Sequence, residues 1–473
     1  MDVTVKPNRR SNFAALLALL LAFAATDGMA RERRSTGDSP DGVPQRLVLA
    51  LDGIPYDVFA DLQRQKHFAS FRPVARMVST FPSLTDVSFA AIGGGEVPTG
   101  YQQMHFDPVR NKTVGNTVGS LADSVHTNIY ADSRDYSSMH RMVGYMAAYH
   151  YALHDLHDIG EEVLQSHKQT FVAYLEQSDP LVHVQGRPGA ERLLRQLDIF
   201  LQDLQAQVRA RTGRDLMIDI VSDHGSTMVK GRIVPVAQIL RLCGFRRHNR
   251  MTEPHDVAYS LAGIIGSVAI TASKEHTEEA TRCLAAGEGV DLVAVDRGDA
   301  VGVINADGEA EVRLADAAPE RYEYRTLRGD PLGLLRDTPG ATERTFDQAS
   351  LFRMTSNAPR PSPLRRLWRA FHGEVKEPSP IIVSLVDGRE AGNTELRAMA
   401  KVRGRVGTHG SMTRLASLGV FASNWRDVGD VDSWSANDAL FGEQTLTAMR
   451  QVLSERSAKA NRPASQPATQ AGR

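Results

Sequence analysis

The sequence predicts an α/β protein with a mostly parallel central sheet, helices on both of its faces, and an inserted cap region. Three observations carry this expectation. The stretches RLVLALDG (residues 46–53), TFVAYLEQSD (170–179) and LMIDIVSDHG (216–225) are continuous apolar runs that stop at acidic residues, as parallel strands buried on both faces do. Between the second and third runs, Leu193, Leu194, Leu197, Leu201, Leu204 and Val208 form one helical stripe, closed by Gly213. Strands that alternate with helices build a parallel sheet covered on both sides, and 473 residues suffice to bury its core.

Taken in order, the chain opens with Lys6, Arg9 and Arg10 ahead of the apolar run FAALLALLLAFAA, followed by Gly28 and Ala30 at the −3 and −1 positions of a cleavage site. Residues 1–30 are therefore predicted to be a signal peptide, and the protein to be exported, either periplasmic or secreted. Arg31, Arg33 and Arg34 follow the run, which keeps open an uncleaved membrane anchor, although the run is shorter than the ~20 residues that span a bilayer. Residues 31–45, charged and rich in Gly, Pro and Ser, read as a linker. Residues 46–243 are expected to form the first part of the core, with an insertion at about 100–160, and residues 244–380 the inserted cap. IIVSLVDG, at 381–388, reads as another buried strand and opens the last part of the core, residues 381–455, which closes with a helix near 442–454. Residues 456–473 lack apolar periodicity and read as a disordered tail.

Composition excludes several classes of function. With 55 basic and 56 acidic side chains, there is no global positive field to attract nucleic acid. There is no G-x-x-x-x-G-K-[ST] and no G-x-S-x-G, so neither a P-loop nor a serine-esterase elbow is present. Cys243 and Cys283 allow at most one internal disulfide, and neither has metal-ligand spacing.

Chemistry gathers where the strands end, because ligands of such sheets bind at the carboxyl edge. Asp52 ends the first run, Asp179 and His183 follow the second, Asp223 and His224 end the third, and His409 sits between glycines in RVGTHGS. Three carboxylates and three imidazoles suit two divalent ions of intermediate softness such as Zn2+ better than calcium or magnesium, which prefer oxygen alone. STFPSLTDVSFAAIGGG (79–95) places Thr85 at the start of a helix expected over 86–92, where the helix dipole favours an anion such as phosphate. Beside two metal ions a threonine hydroxyl can be deprotonated and attack phosphorus.

Other candidates lie in the insertions. His150, His154 and His157 share one helical face, which suits either a third metal site or a helix packed under the pocket. In SPLRRLWRAFHG, Leu364, Leu367, Trp368 and Phe371 form a stripe beside Arg365, Arg366 and Arg369. That pattern suits a core face with solvated arginines, or a site for a phosphate-rich or membrane-surface ligand. Tyr322 and Tyr324 suit either a substrate groove or ordinary packing.

The ordered set LALDG, FPSLTDVS, SDPLVH, SDHG and GTHGS resembles the alkaline phosphatase superfamily, most closely its type I phosphodiesterase and nucleotide pyrophosphatase branch. The resemblance implies that Thr85 is the nucleophile, lying between two zinc ions. It puts Asp179, His183 and His409 on one zinc and Asp52, Asp223 and His224 on the other. It implies hydrolysis of a small-molecule phosphate ester, through an in-line displacement and a phospho-threonine. The chain departs from the pattern twice. Ser88 stands where nucleotide-cleaving members carry an asparagine that donates to a phosphoryl oxygen, so Ser88 is the expected donor; Val182 replaces a glycine before the metal histidine. A phosphomonoesterase or phosphonate hydrolase of the same superfamily, or a catalytically silent metal-binding protein, are the alternatives. The Cys/Ser-x-Pro-x-Arg signature of the sulfatase branch is absent around Thr85.

Overall fold

The computed structural model describes residues 39, 41–115, 138–259, 261, 263–392 and 406–442. The segments predicted as signal peptide and tail, part of the predicted linker and all but the start of the helix expected at 442–454 therefore lie outside the described residues.

Two large sheets organise the chain. The first has six strands in the order Val431–Asp432, Ala75–Val78, Leu418–Ser423, Met217–Ser222, Arg46–Leu51, Thr170–Leu175. All run parallel except Leu418–Ser423, which is antiparallel to both of its neighbours. Side chains alternate across a strand, and the two faces of Arg46–Leu51 are separately covered. Leu47, Leu49 and Leu51 pack with Val58, Phe59 and the stripe Leu193 to Val208. Val48 and Ala50 pack on the other side with Phe89, Ile92, Ala436 and Leu440. This is the predicted α/β architecture, with its mostly parallel sheet and helices on both faces.

Register is what positions the site. Arg46 pairs with both Thr170 and Met217, and the pairing holds without a slip to Leu51 opposite Leu175 and Ser222. Residues 52, 176 and 223 therefore leave the sheet at one level. The long helix Ser178–Thr212 begins at once after its strand and is interrupted at Gly186, with φ 58° and ψ −146°. Asp179 and His183 thus belong to a short helical segment at the edge of the sheet.

The second sheet has nine strands, in the order Glu343–Asp347, Glu320–Gly329, Gly308–Ala317, Val301–Asn305, Val290–Asp296, Ile381–Leu385, Ser267–Ala272, Asp256–Tyr259, Arg246–Arg247. It is antiparallel apart from its last pair. Ile381–Leu385 is wholly buried, as its apolar run predicts, yet it lies inside this sheet and does not return to the first. The return comes with Leu418–Ser423. An apolar run reports burial on two faces, which either sheet supplies.

Four readings of the inserted segments resolve here. Tyr322 and Tyr324 are fully buried in the core of the second sheet, with their hydroxyls donating to Glu320 and Asp330, so they line no groove. His150, His154 and His157 face solvent, while Ala152, Leu156 and Ile159 of the same helix face the core; among the described residues these three histidines belong to no group of side chains placed to hold a metal ion. The arginines of SPLRRLWRAFHG are not a freely solvated row: Arg365 pairs with Glu320 and Asp432, the part-exposed Arg369 pairs with Glu320, and Arg366 is entirely buried. Cys243 and Cys283 form a disulfide between the end of Val236–Leu242 and the helix Thr277–Ala285.

Candidate metal centre

The turn after Arg46–Leu51 brings the first two ligands together. Gly53 adopts φ +63°, and a Cβ there would meet Asp179 Oδ1 at 2.6 Å, so both the turn and the approach of Asp179 require glycine. The Gly53 N–H donates to Asp223 Oδ1 at 3.0 Å, and Ser178 Oγ donates to the Asp52 carbonyl at 2.7 Å. Backbone thereby fixes Asp52, Asp179 and Asp223 relative to one another.

The histidines are aimed by the same device. His183 Nδ1 lies 2.7 Å from the Gly407 carbonyl, His224 Nδ1 2.9 Å from the Gly225 carbonyl, and His409 Nδ1 2.8 Å from the Ser83 carbonyl. A carbonyl only accepts, so each Nδ1 carries a proton and donates it, which leaves each Nε2 facing the carboxylates. All three Nε2 atoms meet the carboxylates: His183 lies 3.0 Å from Asp179, His224 3.3 Å from Asp223 and 3.7 Å from Asp52, and His409 4.0 Å from Asp179. The rings of His224 and His409 stack with centroids 3.9 Å apart.

The loop carrying Thr85 is tied to the loop carrying His409 through Ser83. The Ser83 N–H donates to the Gly410 carbonyl, the Gly410 N–H to Ser83 Oγ, and Ser83 Oγ to the Ser411 carbonyl. Thr85 is the first residue of the helix Thr85–Gly93, one earlier than expected; Leu84 holds the cap position and supplies no side-chain acceptor. The threonine hydroxyl does not cap the helix. It lies 3.3 Å from Asp52 Oδ1 and 3.2 Å from His224 Nε2, and Thr85 is part-exposed where its six neighbours are buried.

Ser88 departs from its expected role. It is fully buried, and its hydroxyl bonds to those of Ser79 and Thr80 at 2.7 and 2.8 Å, inside the protein. Residues three apart share a helix face, but the short Ser88 side chain is engaged by Ser79 and Thr80. Val182 packs in the core below the site and takes no part in it.

Electrostatics ask for a cation. Burial, with Asp223 and Asp179 alongside, holds the Asp52 carboxyl well above the ordinary carboxylate range. Burial likewise raises Asp223, against the pull of His224. Asp179 is buried too, but His183 and the other two imidazoles outweigh that and hold it low. Burial and the neighbouring His224 push His409 well below its usual value. Asp179 Oδ1 and Asp223 Oδ2 are buried without a hydrogen-bond partner, an arrangement that costs free energy unless a cation completes it. Two sets of ligand atoms lie close enough to hold an ion: Asp52, Asp223 and His224, and Asp179, His224 and His409. The first is the set the resemblance implies. In the second, His224 stands where His183 was expected, and His183 is engaged with Asp179.

Sequence reasoning missed two residues. Tyr174 donates its hydroxyl to Asp52 Oδ2 at 2.6 Å, and burial and that carboxylate raise the phenol well above its usual value. The signal was its place next to last in a strand that ends at the site. Arg366 gives its donors to the carbonyls of Thr80, Pro361 and Met412 and to Ser417 Oγ, behind both the Thr85 and the His409 loops. No local pattern separates it from Arg365 and Arg369.

No protein-family model and no curated protein matches this chain. Among solved structures it is similar to human ectonucleotide pyrophosphatase/phosphodiesterase 5, at 14% identity over 85% of this chain and 95% of that one, with a TM-score of 0.45. Two structures of the murine protein, one of them an inactive form in complex with AMP, are similar at 13% identity with a TM-score of 0.44 over the same shares.

Proposed function

We propose that this protein is a two-metal phosphoric ester hydrolase, a phosphodiesterase of the nucleotide pyrophosphatase kind, in which Thr85 is the nucleophile. The observation that carries the reading is the Thr85 hydroxyl, part-exposed at a helix N-terminus and within 3.3 Å of both Asp52 and His224 amid six buried ligand side chains. Asp179, His183 and His409 would hold one divalent ion and Asp52, Asp223 and His224 the other; the mixed nitrogen and oxygen donors favour zinc. When bound, the pair supplies charge neutralisation at the reacting oxygens.

The chain's own contribution is geometry. Thr85 Oγ1 forms a bond to phosphorus in line with the leaving oxygen, whose bond to phosphorus breaks as the alcohol departs. The phosphoryl group then sits on the first residue of an uncapped helix, where the dipole and first-turn amides favour its negative charge. A water replaces the threonine oxygen and releases the product. Tyr174 fixes Asp52, and Ser83 keeps Thr85 in register with His409. The inserted region forms a cap that touches this edge: the Gly266 N–H donates to the His409 carbonyl at 2.6 Å, and Thr408 Oγ1 to the Ile264 carbonyl at 3.1 Å.

The substrate is a small-molecule phosphate ester and not nucleic acid. Burial of Ser88 removes the donor expected in nucleotide-cleaving members, which favours a phosphate or phosphonate ester other than a nucleotide as the second reading. Export to a periplasmic or extracellular space is supported by the disulfide, which persists in oxidising compartments. No helix among the described residues is long and apolar enough to cross a membrane.

The test is turnover of an aryl phosphodiester and an aryl phosphomonoester by zinc-loaded protein, with acid quenching to trap phosphate on Thr85. A faster diester reaction and a phosphorylated Thr85 peptide are expected. If the zinc-loaded protein hydrolyses neither ester, the reading fails.

A further inference from the structure

The second sheet carries its own cluster of metal-ligating side chains, sharing no residue with the centre around Thr85. His255 precedes the strand Asp256–Tyr259, His276 closes the short turn Lys274–His276, and Glu279 lies in the first turn of the helix Thr277–Ala285. The two imidazole rings lie 4.1 Å apart, tilted by 34°. Both rest near the ring of Phe245, at 5.4 and 6.5 Å, and Phe245 itself is buried. His276 Nδ1 is 3.1 Å from Glu279 Oε2, and His255 Nε2 is 3.9 Å from the same oxygen. One ligand atom from each of the three residues lies within 4.8 Å of the others. Tetrahedral zinc with bonds of about 2.0–2.1 Å separates its donors by roughly 3.3 Å, so small side-chain rotations complete the shell.

The backbone beneath is held on both sides. The His255 carbonyl accepts from the Arg246 N–H, and the His276 N–H donates to the Ser273 carbonyl, both at 3.0 Å. The Cys243–Cys283 disulfide ties the helix one turn beyond Glu279 to the chain two residues before Phe245. The carboxylate and the apolar floor under the two rings are therefore cross-linked to each other. The side chains are 46%, 25% and 52% exposed for His255, His276 and Glu279, so an ion can enter from solvent and keep a water as fourth ligand.

We infer that His255, His276 and Glu279 form a surface site for one divalent transition-metal ion, with two nitrogens and one carboxylate as ligands. The donor set selects zinc, nickel or copper over magnesium and calcium. Ligands from the strand edge and from the helix meet at one ion, which would fasten the helix to the sheet.

The experiment strips the full-length protein with a chelator and titrates it with zinc alone, measuring bound metal by elemental analysis. His255→Ala and Glu279→Gln are titrated beside the parent, and circular dichroism and the intact disulfide verify that each variant is folded. The parent is expected to hold one equivalent more than His255→Ala, and Glu279→Gln to bind that equivalent at least tenfold more weakly. The difference between proteins is the readout, so it stands whether or not the Thr85 centre binds zinc. Equal zinc content and affinity in the parent and both variants would overturn the site.

Discussion

The two sheets of this protein differ in burial, the first almost wholly covered and the second exposed along its outer strands, and they differ in what their strand ends can do. In the first, parallel strands in register all point their carboxyl ends the same way, so Asp52, Asp179 and Asp223 collect at one edge. In the second, antiparallel strands send alternate ends in opposite directions, and charge is spread in ladders such as Arg297 with Glu278, Glu309 and Glu311. Parallel pairing concentrates like-charged carboxylates until a cation is needed to satisfy them; antiparallel pairing lets each arginine meet its own carboxylates. The contrast places the candidate site on the first sheet and attachment on the second.

The sharpest way to break that contrast is Thr85→Ala. It should lower the turnover number on the order of 10^4-fold or more with zinc content unchanged, since loss of a nucleophile removes a whole reaction path. Stopped assays with metal analysis measure it, and retained turnover would deny the first sheet its chemistry. Next comes Arg366→Ala, on the attachment side. It leaves the Thr80, Pro361 and Met412 carbonyls without the Arg366 donors and strips the buried Glu374 of the stronger of its two neighbouring positive charges, leaving Arg369. Loss of about 3–5 kcal/mol in denaturant unfolding is expected. Should stability hold while turnover falls, Arg366 belongs to the chemistry instead.

Tyr174→Phe probes the boundary between the two roles. It removes only the hydrogen bond that orients Asp52, so metal affinity should fall about 10–100-fold while the fold keeps most of its stability. Competition with a chelator reads this, and an unchanged affinity would mean that backbone alone aims Asp52. The smallest effect belongs to the charge ladder. Arg297→Gln should cost about 1 kcal/mol, less at high salt, because its carboxylate partners remain reachable by water. A larger loss would make that ladder part of the core.

How much of this was legible before folding varies with the residue. Asp52, Asp179, Asp223 and His224 could be read because an apolar run that halts at a charged residue marks a strand end, and strand ends in α/β proteins line one edge. His409 was legible only through its glycines and the ordered resemblance. The stripe Leu193 to Val208 was read from its period and packs as read. Ser88 was misjudged because helical spacing gives a face and not a partner; the hydroxyls of Ser79 and Thr80 decided where it points. Arg366 was taken for a surface residue because its burial depends on the carbonyls of Thr80 and Met412, brought from two distant segments.

By itself the sequence determined which segments are buried, where the strands stop, and which side chains able to bind metal stand at those stops. These are properties of neighbours along the chain, fixed by hydrophobic period and by turn-forming residues. Tertiary structure alone decided that Arg46 pairs level with Thr170 and Met217, that Ile381–Leu385 joins the second sheet, and that the Nδ1 atoms of His183 and His409 find carbonyls. Register, sheet membership and the orientation of the His183 and His409 rings are set by partners far away along the chain, and an apolar run carries no record of which partner it will meet.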